Sequence, residues 1–389
     1  MTERLYYSDC YLSEFRARVV EADAGRTRVY LDRTAFYPTS GGQPFDMGTL
    51  GGVPVIEVVD EEDRVAHVLE VALEAGEVTG HVDWARRFDH MQQHTGQHLL
   101  SAVFEELYQM RTLSFHMGAE TSTIELGAPS LSTAQIERVE ERCAQIVAEA
   151  RPVIVTFEDA ESAAGLRKES QRSGTLRIVA IEGLDRSACG GTHVRTTAEI
   201  GLVLTRKLDK VRNNVRIEFV CGRRALAQAR TDYRVLAAVG RALSAPFEKA
   251  PEMIAAQAER VKGLEKSVQK LATELAVREG RELFAATEAD AEGIRRVTQR
   301  GAIDEAMRAR AQAFLVGGKA VFLAVSAEPP SVLLAASGDS GVHAGDRVKA
   351  AVSAAGGRGG GNANLAQGSV PDAATLAAVE EAISRPPGT

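Results

Sequence analysis

A chain of 389 residues is longer than one hydrophobic core normally supports, and its 44% hydrophobic and 25% charged content is ordinary for globular proteins, so two or three folded domains are expected. No apolar run approaches the roughly 20 residues of a membrane span and residues 1–7 lack a signal-peptide pattern, which sets aside integral membrane and exported classes and leaves the cytoplasm as the expected location. The four cysteines are too few for a disulfide framework, and a net charge of −7 means that any grip on phosphates has to come from a local basic cluster.

The predicted fold class is α+β, in four regions. Residues 1–85 read as a small β-rich, barrel-like module: 16–21 and 27–31 alternate as strands around a turn containing Asp23-Ala24-Gly25, and 53–59 and 64–69 repeat the pattern. A glycine-rich loop, Thr34-Ala35-Phe36-Tyr37-Pro38-Thr39-Ser40-Gly41-Gly42-Gln43-Pro44, belongs to it. Residues 86–224 combine a helix bearing His94, a second helix near 133–149 and several strands, an α+β domain. Residues 225–285 are helical. Ile254, Val261, Val268 and Leu275 recur every seven residues with Leu264 and Leu271 between them, the heptad pattern of a coiled-coil arm, which Gln257 and Arg278 break at its ends. The arm pairs either with the helix at 232–243 or with a second copy; the C-terminal domain is the other expected place for a homodimer contact. Residues 286–389 form an α/β domain around short buried strands at 320–325 and 331–336.

Two clusters in the second region carry chemistry. His94-Thr95-Gly96-Gln97-His98 and Cys189-Gly190-Gly191-Thr192-His193 each pair potential ligands four residues apart, and together they offer one thiolate and three imidazoles, a set suited to a single tetrahedral zinc ion. The proline-free run 88–104, with Met91, Leu99, Val103 and Phe104 at helical intervals, puts His94 and His98 on one helix face. Gly190-Gly191 predicts a tight turn that aims Cys189 and His193 at one point. His90, also four residues from His94, falls behind Asp89 at the expected helix start and reads as a capping or positioning residue. His116 lies in a strand-like run and faces either the same pocket or solvent. Cys10, Cys143 and Cys221 have no ligand-like neighbours and read as packing residues. Just after the second cluster, Arg206, Lys207, Lys210, Arg212 and Arg216 stand against one acid; Arg223 and Arg224 extend the run, and Arg167, Lys168, Arg172 and Arg177 precede it. Such clustering beside a metal site favours RNA over a merely solvated face.

These motifs resemble a known family. The His-x3-His and Cys-x3-His signatures, in this order and at this separation, are similar to the editing domain of alanyl-tRNA synthetase and to its free-standing relatives, the AlaX proteins. The loop 34–44 resembles the family's glycine-rich segment, with Ser40 where a third glycine usually stands, and the stretch 46–50 continues it. Residues 216–222 resemble the strand that follows the metal turn. Gly356-Gly357-Arg358-Gly359-Gly360-Gly361 with Leu365-Ala366-Gln367-Gly368 looks like the signature of the DHH-associated domain. The combination resembles the long AlaX type.

The resemblance implies one zinc ion per chain on His94, His98, Cys189 and His193, and a trans-editing hydrolase, independent of ATP, that removes serine, with glycine a second candidate, from mischarged tRNA(Ala). Such an enzyme must accept serine and spare alanine, and a fixed polar group that would be left unpaired by alanine gives that selectivity. Thr34 matches the family residue expected near the serine hydroxyl. Gln43 and Gln97 are candidates for holding the ribose or amino group, His116 is a further pocket candidate, and Arg358 in its glycine tract is a candidate RNA contact beside Arg206, Lys207, Lys210, Arg212 and Arg216. With the editing motif reached by Thr34, no class II aminoacylation core is expected upstream. Rival readings are editing of Ser-tRNA(Thr), against which the Phe36-Tyr37-Pro38 and Gly41-Gly42-Gln43-Pro44 block argues; a Gly-Gly-Gln peptide-release motif, which leaves the metal clusters unexplained; and a non-catalytic tRNA-binding module whose zinc is structural.

Overall fold

Alternation of apolar and polar side chains builds the first eighty residues. In the computed structural model, which describes residues 1–168 and 173–385, these form β1 (Glu3–Arg4), β2 (Glu14–Ala22), β3 (Arg28–Leu31), β4 (Arg33–Thr34), β5 (Gly48–Leu50), β6 (Val53–Glu61), β7 (Arg64–Leu69) and β8 (Glu77–Val82). Six of them close into a barrel in the order β2-β3-β7-β6-β5-β8, and β1 pairs with β4 in parallel. Inward positions such as Phe15, Val29, Leu31, Phe36, Leu50, Val58 and Val65 fill it. Asp23 caps the first turn by accepting from the amides of Thr27 and Arg28.

Asp83 accepts from Arg86 N and starts α1 (Trp84–Tyr108). The helix therefore begins six residues before His90, because the run from Trp84 to Phe88 already carries helical apolar spacing; His90 is no cap, and its ring is buried at 2% exposure. α1 is buried on nearly every side. It lies against the sheet β14-β15-β10-β9, built from β9 (Thr112–Met117), β10 (Ser122–Leu126), β14 (Val203–Val211) and β15 (Asn214–Cys221), and against α2 (Thr133–Ala148). A capping box between Ser132 and Gln135 opens α2, whose Val139, Cys143 and Ile146 join Leu99, Val103, Phe104, Ile124, Ile217 and Phe219 in one core. A side chain of that kind stabilises by about 1.5–3 kcal/mol when fully buried. A second sheet joins β11 (Val153–Asp159), β12 (Thr175–Ile181) and β13 (Asp185–Ala188), and α3 (Gly222–Leu243) follows β15. Residues Met1–Val239 make one compact unit and Gly240–Thr389 another.

The second unit begins with α4 (Ala250–Ala286). Then come β16 (Arg295–Arg300), α5 (Glu305–Leu315), β17 (Ala320–Ala327), β18 (Pro330–Ala336), α6 (Ala344–Ala354), β19 (Arg358–Gly361), β20 (Leu365–Ser369) and α7 (Ala373–Ser384). The sheet order is β16-β17-β18-β20-β19. β17 and β18 are apolar on both faces because helices cover both: Val321, Leu323 and Leu334 pack with α6 and α7, while Phe322, Leu333 and Ala335 pack with α5. α4 meets α5 at Gly280, where a Cβ would sit 2.3 Å from Arg310 O. The heptad residues of α4, Ile254, Val261, Leu264, Val268, Leu271 and Leu275, remain 53–65% exposed, so the seam lies uncovered on this single chain. Among the described residues no helix is long and apolar enough to cross a membrane.

Candidate metal centre

α1 presents His94 and His98 one turn apart, both 3% exposed, and the turn after β13 presents Cys189 and His193 to the same point. The four donor atoms lie within 4.8 Å of one another. Cys189 Sγ is 3.5 Å from His94 Nε2 and 3.4 Å from His193 Nε2. A tetrahedral ion with metal–sulfur and metal–nitrogen bonds near 2.3 and 2.0 Å would set those separations at about 3.5 Å, so the donors already stand where a zinc shell needs them. Burial pushes the Cys189 thiol up, but the imidazoles of His94 and His193 outweigh it and hold it well below its ordinary range. Burial carries His193 down to about 3. A thiolate beside imidazoles with free nitrogens is the charge pattern a divalent cation completes.

The ring nitrogens facing away from this point are all engaged. Thr192 N can only donate, and it donates to Gln43 Oε1 at 3.1 Å; that oxygen is therefore the acceptor for His94 Nδ1 at 2.8 Å, while Gln43 Nε2 donates to Thr192 Oγ1. His98 Nδ1 donates to the buried Asp185 carboxylate at 2.7 Å. Burial opposes charge on His98, yet the Asp185 contact lifts it to about 9; burial raises Asp185 in turn, and His98 holds it down at about 2. His193 Nδ1 meets Thr95 Oγ1 at 3.2 Å. Gln43 and Asp185 accept at Nδ1 and so turn Nε2 of His94 and His98 toward the metal point, while the Thr95 hydroxyl, able to donate or accept, orients the His193 ring without setting its tautomer.

Two features close the loop onto the helix. A Cβ on Gly191 would lie 2.1 Å from the His94 ring, so only glycine lets the turn come this near. Arg177, 7% exposed, donates through Nη1 to the carbonyls of Cys189 and Gly191 at 2.7 and 2.9 Å and through Nε to Tyr7 O at 3.0 Å. Phe115 packs on His94 with ring centroids 5.3 Å apart. Of the four ligands Cys189 is half-buried and the three histidines are buried.

The four expected ligands thus come together, and the other candidates are placed as follows. Gln43 is in the site, with both ends of its amide committed to His94 and Thr192. Gln97, 6% exposed, turns inward and donates to Ser101 Oγ at 2.8 Å. Thr34 is fully buried in the barrel module, its hydroxyl 2.8 Å from His67 Nε2 and accepting from Phe36 N. His116 is exposed: strand alternation gives the inward position to Phe115 and turns His116 to the opposite face.

Several of the cations are paired. Arg206 bridges to Asp232, Lys207 to Asp209 and Arg216 to Glu125, while Lys210 and Arg212 stand exposed on the β14–β15 hairpin, Arg212 with φ 56° at its turn. Arg224 bridges to Asp89 at 2.7 Å. Arg358 is exposed on the edge strand β19. Among the described residues of the expected basic stretch before the metal turn, Arg177 clamps the turn, Arg167 pairs with Asp185 at 2.6 Å and Lys168 is exposed; Arg172 lies outside the described residues. Asp185, Arg177, Thr95, Thr192 and Phe115 belong to the site without having been foreseen. Their partners are distant in sequence and leave no local pattern.

A family model described as the threonyl and alanyl tRNA synthetase second additional domain matches residues 176–218, the segment from β12 through the Cys189 turn into β14. Alanyl-tRNA editing protein Aarsd1-A of Xenopus laevis is 33% identical over 292 residues, 69% of this chain and 70% of that protein. The chain belongs to the alanyl-tRNA editing protein family. Another relative, alanyl-tRNA editing protein AlaX-L of Pyrococcus horikoshii, is 37% identical over 243 residues; that match covers 59% of this chain and 60% of the relative's own length. The similarity also extends to an alanine–tRNA ligase of Pyrococcus abyssi, 32% identical over 398 residues, which takes in 95% of this chain but only 42% of the ligase. The family's shared segment contains half of the donor set, Cys189 and His193, and Asp185 with it.

Proposed function

We propose that this chain is a trans-editing hydrolase that cleaves the ester of tRNA(Ala) mischarged with serine, and secondarily with glycine, using one zinc ion on His94, His98, Cys189 and His193, in the cytoplasm where charged tRNA is used. The observation that carries the proposal is the convergence of four donor atoms, with Nδ1 of each imidazole held by a neighbouring side chain, in a member of the alanyl-tRNA editing family. Zinc, when bound, supplies a Lewis acid for the ester carbonyl or an anchor for the substrate. The remaining work falls to side chains. Gln43 and Thr95 hold His94 and His193 in orientation, and Arg177 keeps the Cys189 turn rigid, so that little reorganisation is needed when the ester arrives. Phe115 packs against the His94 ring and limits its motion. Gln97 and Thr34, bonded to Ser101 and His67, support the surrounding structure.

The β14–β15 hairpin offers Lys207, Lys210, Arg212 and Arg216 to the tRNA backbone, and β19 of the second unit offers Arg358 beside glycines that let a backbone approach closely. The test is serine release from Ser-tRNA(Ala) with Ala-tRNA(Ala) spared; loss of both amino acids at equal rates would contradict an editing role. The uncovered α4 seam takes a second copy of the chain: antiparallel alignment of its heptads pairs Val261 with Leu271 and Leu264 with Val268, and sets Arg260 of one copy opposite Glu274 of the other, whereas parallel alignment stacks Arg278 on Arg278. Sedimentation equilibrium is expected to give twice the chain mass, reduced to one by Leu264→Glu with Val268→Glu; a monomeric parent chain would exclude the pairing.

A further inference from the structure

His98 is held differently from the other two imidazoles. His94 leans on a neutral amide and His193 on a hydroxyl, whereas His98 Nδ1 meets a carboxylate, Asp185, whose side chain is fully buried. The second carboxylate oxygen is not free. Arg167 Nε donates to Asp185 Oδ1 at 2.6 Å, Ser187 Oγ lies 3.0 and 3.1 Å from the two oxygens, and Arg167 Nη2 donates to Ser187 Oγ at 3.3 Å. Asp185 and Ser187 share one face of β13 because they stand two apart on a strand, and Cys189 follows two residues later, so a single short segment supplies a ligand and the support of another.

We infer that Arg167 and Asp185 form a one-way relay that fixes His98 in the Nδ1–H form and so assigns its Nε2 to the metal; this rests on the zinc reading of the site. A guanidinium can only donate, so whatever stands at position 185 must turn an acceptor toward Arg167. Aspartate has a second acceptor left for His98 Nδ1–H. Asparagine does not: its oxygen turns to Arg167, its NH2 then faces His98, and the imidazole is driven to carry its proton on Nε2, where it blocks ligation. The same logic makes an Asp→Asn change severe where an aspartate fixes a catalytic histidine's tautomer. Arg167 and Asp185 are thus positioning residues, acting through His98 without touching substrate. The relay gives a local, metal-centred purpose to an arginine whose place in the sequence suggested RNA.

The relay predicts a non-additive pair of substitutions. Zinc affinity would be measured by competition with a chromogenic chelator on the full chain, alongside the melting midpoint of the metal-free protein, for the parent, D185N, R167M, R167K and D185N/R167M. Because outer-shell partners of metal-bound histidines contribute about 10–100-fold to affinity, D185N is expected to lose roughly 100-fold and R167M about 10-fold or less. Removing the arginine from D185N frees the amide to turn its oxygen to His98, so D185N/R167M is expected to recover about 10-fold relative to D185N, a gain that loss of stability in the metal-free chain cannot produce. R167K, which still donates, is expected to stay near the parent and reports on the relay even if D185N folds poorly. D185N within about threefold of the parent, or a double variant weaker than D185N, would overturn the relay. A parent chain that takes up no zinc would overturn the metal reading instead, and the relay with it.

Discussion

Replacing Cys189 by alanine is expected to abolish tight metal binding while leaving the fold in place. The thiolate is the one anionic donor of the four; the others are imidazoles, which bring no negative charge to the cation. Without it a divalent ion would face three imidazoles and no neutralising charge, and one corner of the tetrahedron would be open. A loss of more than about 100-fold in zinc affinity is expected, at least as large as that from any orienting partner. The fold should survive because Cys189 sits on a turn outside the core around α1, and its side chain is only partly buried. The Arg177 clamp also survives, since it grips the carbonyls of Cys189 and Gly191, which alanine keeps. Zinc per chain after dialysis against a chelator gives the check. A Cys189→Ala chain that still retains one zinc beside a parent that also retains one would place the ion elsewhere.

Replacing Asp46 by alanine is expected to destabilise the first unit severely. Asp46 and Arg87 are both fully buried, and Arg87 also donates to the carbonyls of Cys10 and Ala35. Asp46 in turn accepts from Tyr37 N. One ion pair therefore ties the N-terminal segment, the glycine-rich loop that carries Gln43, and the first turns of α1. Removing one partner strands a charge in the interior, at a cost of about 3–5 kcal/mol, against a total stability of about 5–15 kcal/mol. For a unit of this size that corresponds to a fall in melting midpoint of roughly 6–20 °C. Asp46→Asn, which keeps shape and acceptor but not charge, should fall between. A midpoint for Asp46→Ala within about 2 °C of the parent would mean that water reaches Arg87 and the pair holds nothing together.

What the sequence revealed, and what it hid, follows from the range of the interactions. The ligand pairs were legible because a helix brings positions four apart together at His94 and His98, and a Gly-Gly turn does so at Cys189 and His193. Strands β6 and β7 were legible by alternation, and the helix α4 by the spacing of its apolar residues. Supporting residues were not. Arg177 reaches Tyr7, 170 positions away, and His98 reaches Asp185, 87 away, so no local spacing announces either. The sequence left His116 between pocket and solvent because a period of two fixes alternation but not phase; its neighbour Phe115 takes the inward side. Cations counted along the chain overstated the free basic surface for a similar reason: Arg216 stands directly across from Glu125 on the neighbouring strand, a pairing that only strand register reveals.

The most direct test is release of labelled amino acid from Ser-tRNA(Ala), Gly-tRNA(Ala), Ala-tRNA(Ala) and Ser-tRNA(Thr) by the purified chain, zinc-loaded and zinc-stripped. Metal-dependent editing predicts fast loss of serine from the alanine tRNA, sparing of Ala-tRNA(Ala), and disappearance of the activity on stripping with return as one equivalent of zinc is added. Hydrolysis of none of the four esters at full zinc occupancy, or equal rates with and without zinc, would contradict it, and preference for Ser-tRNA(Thr) would assign the site to the other tRNA.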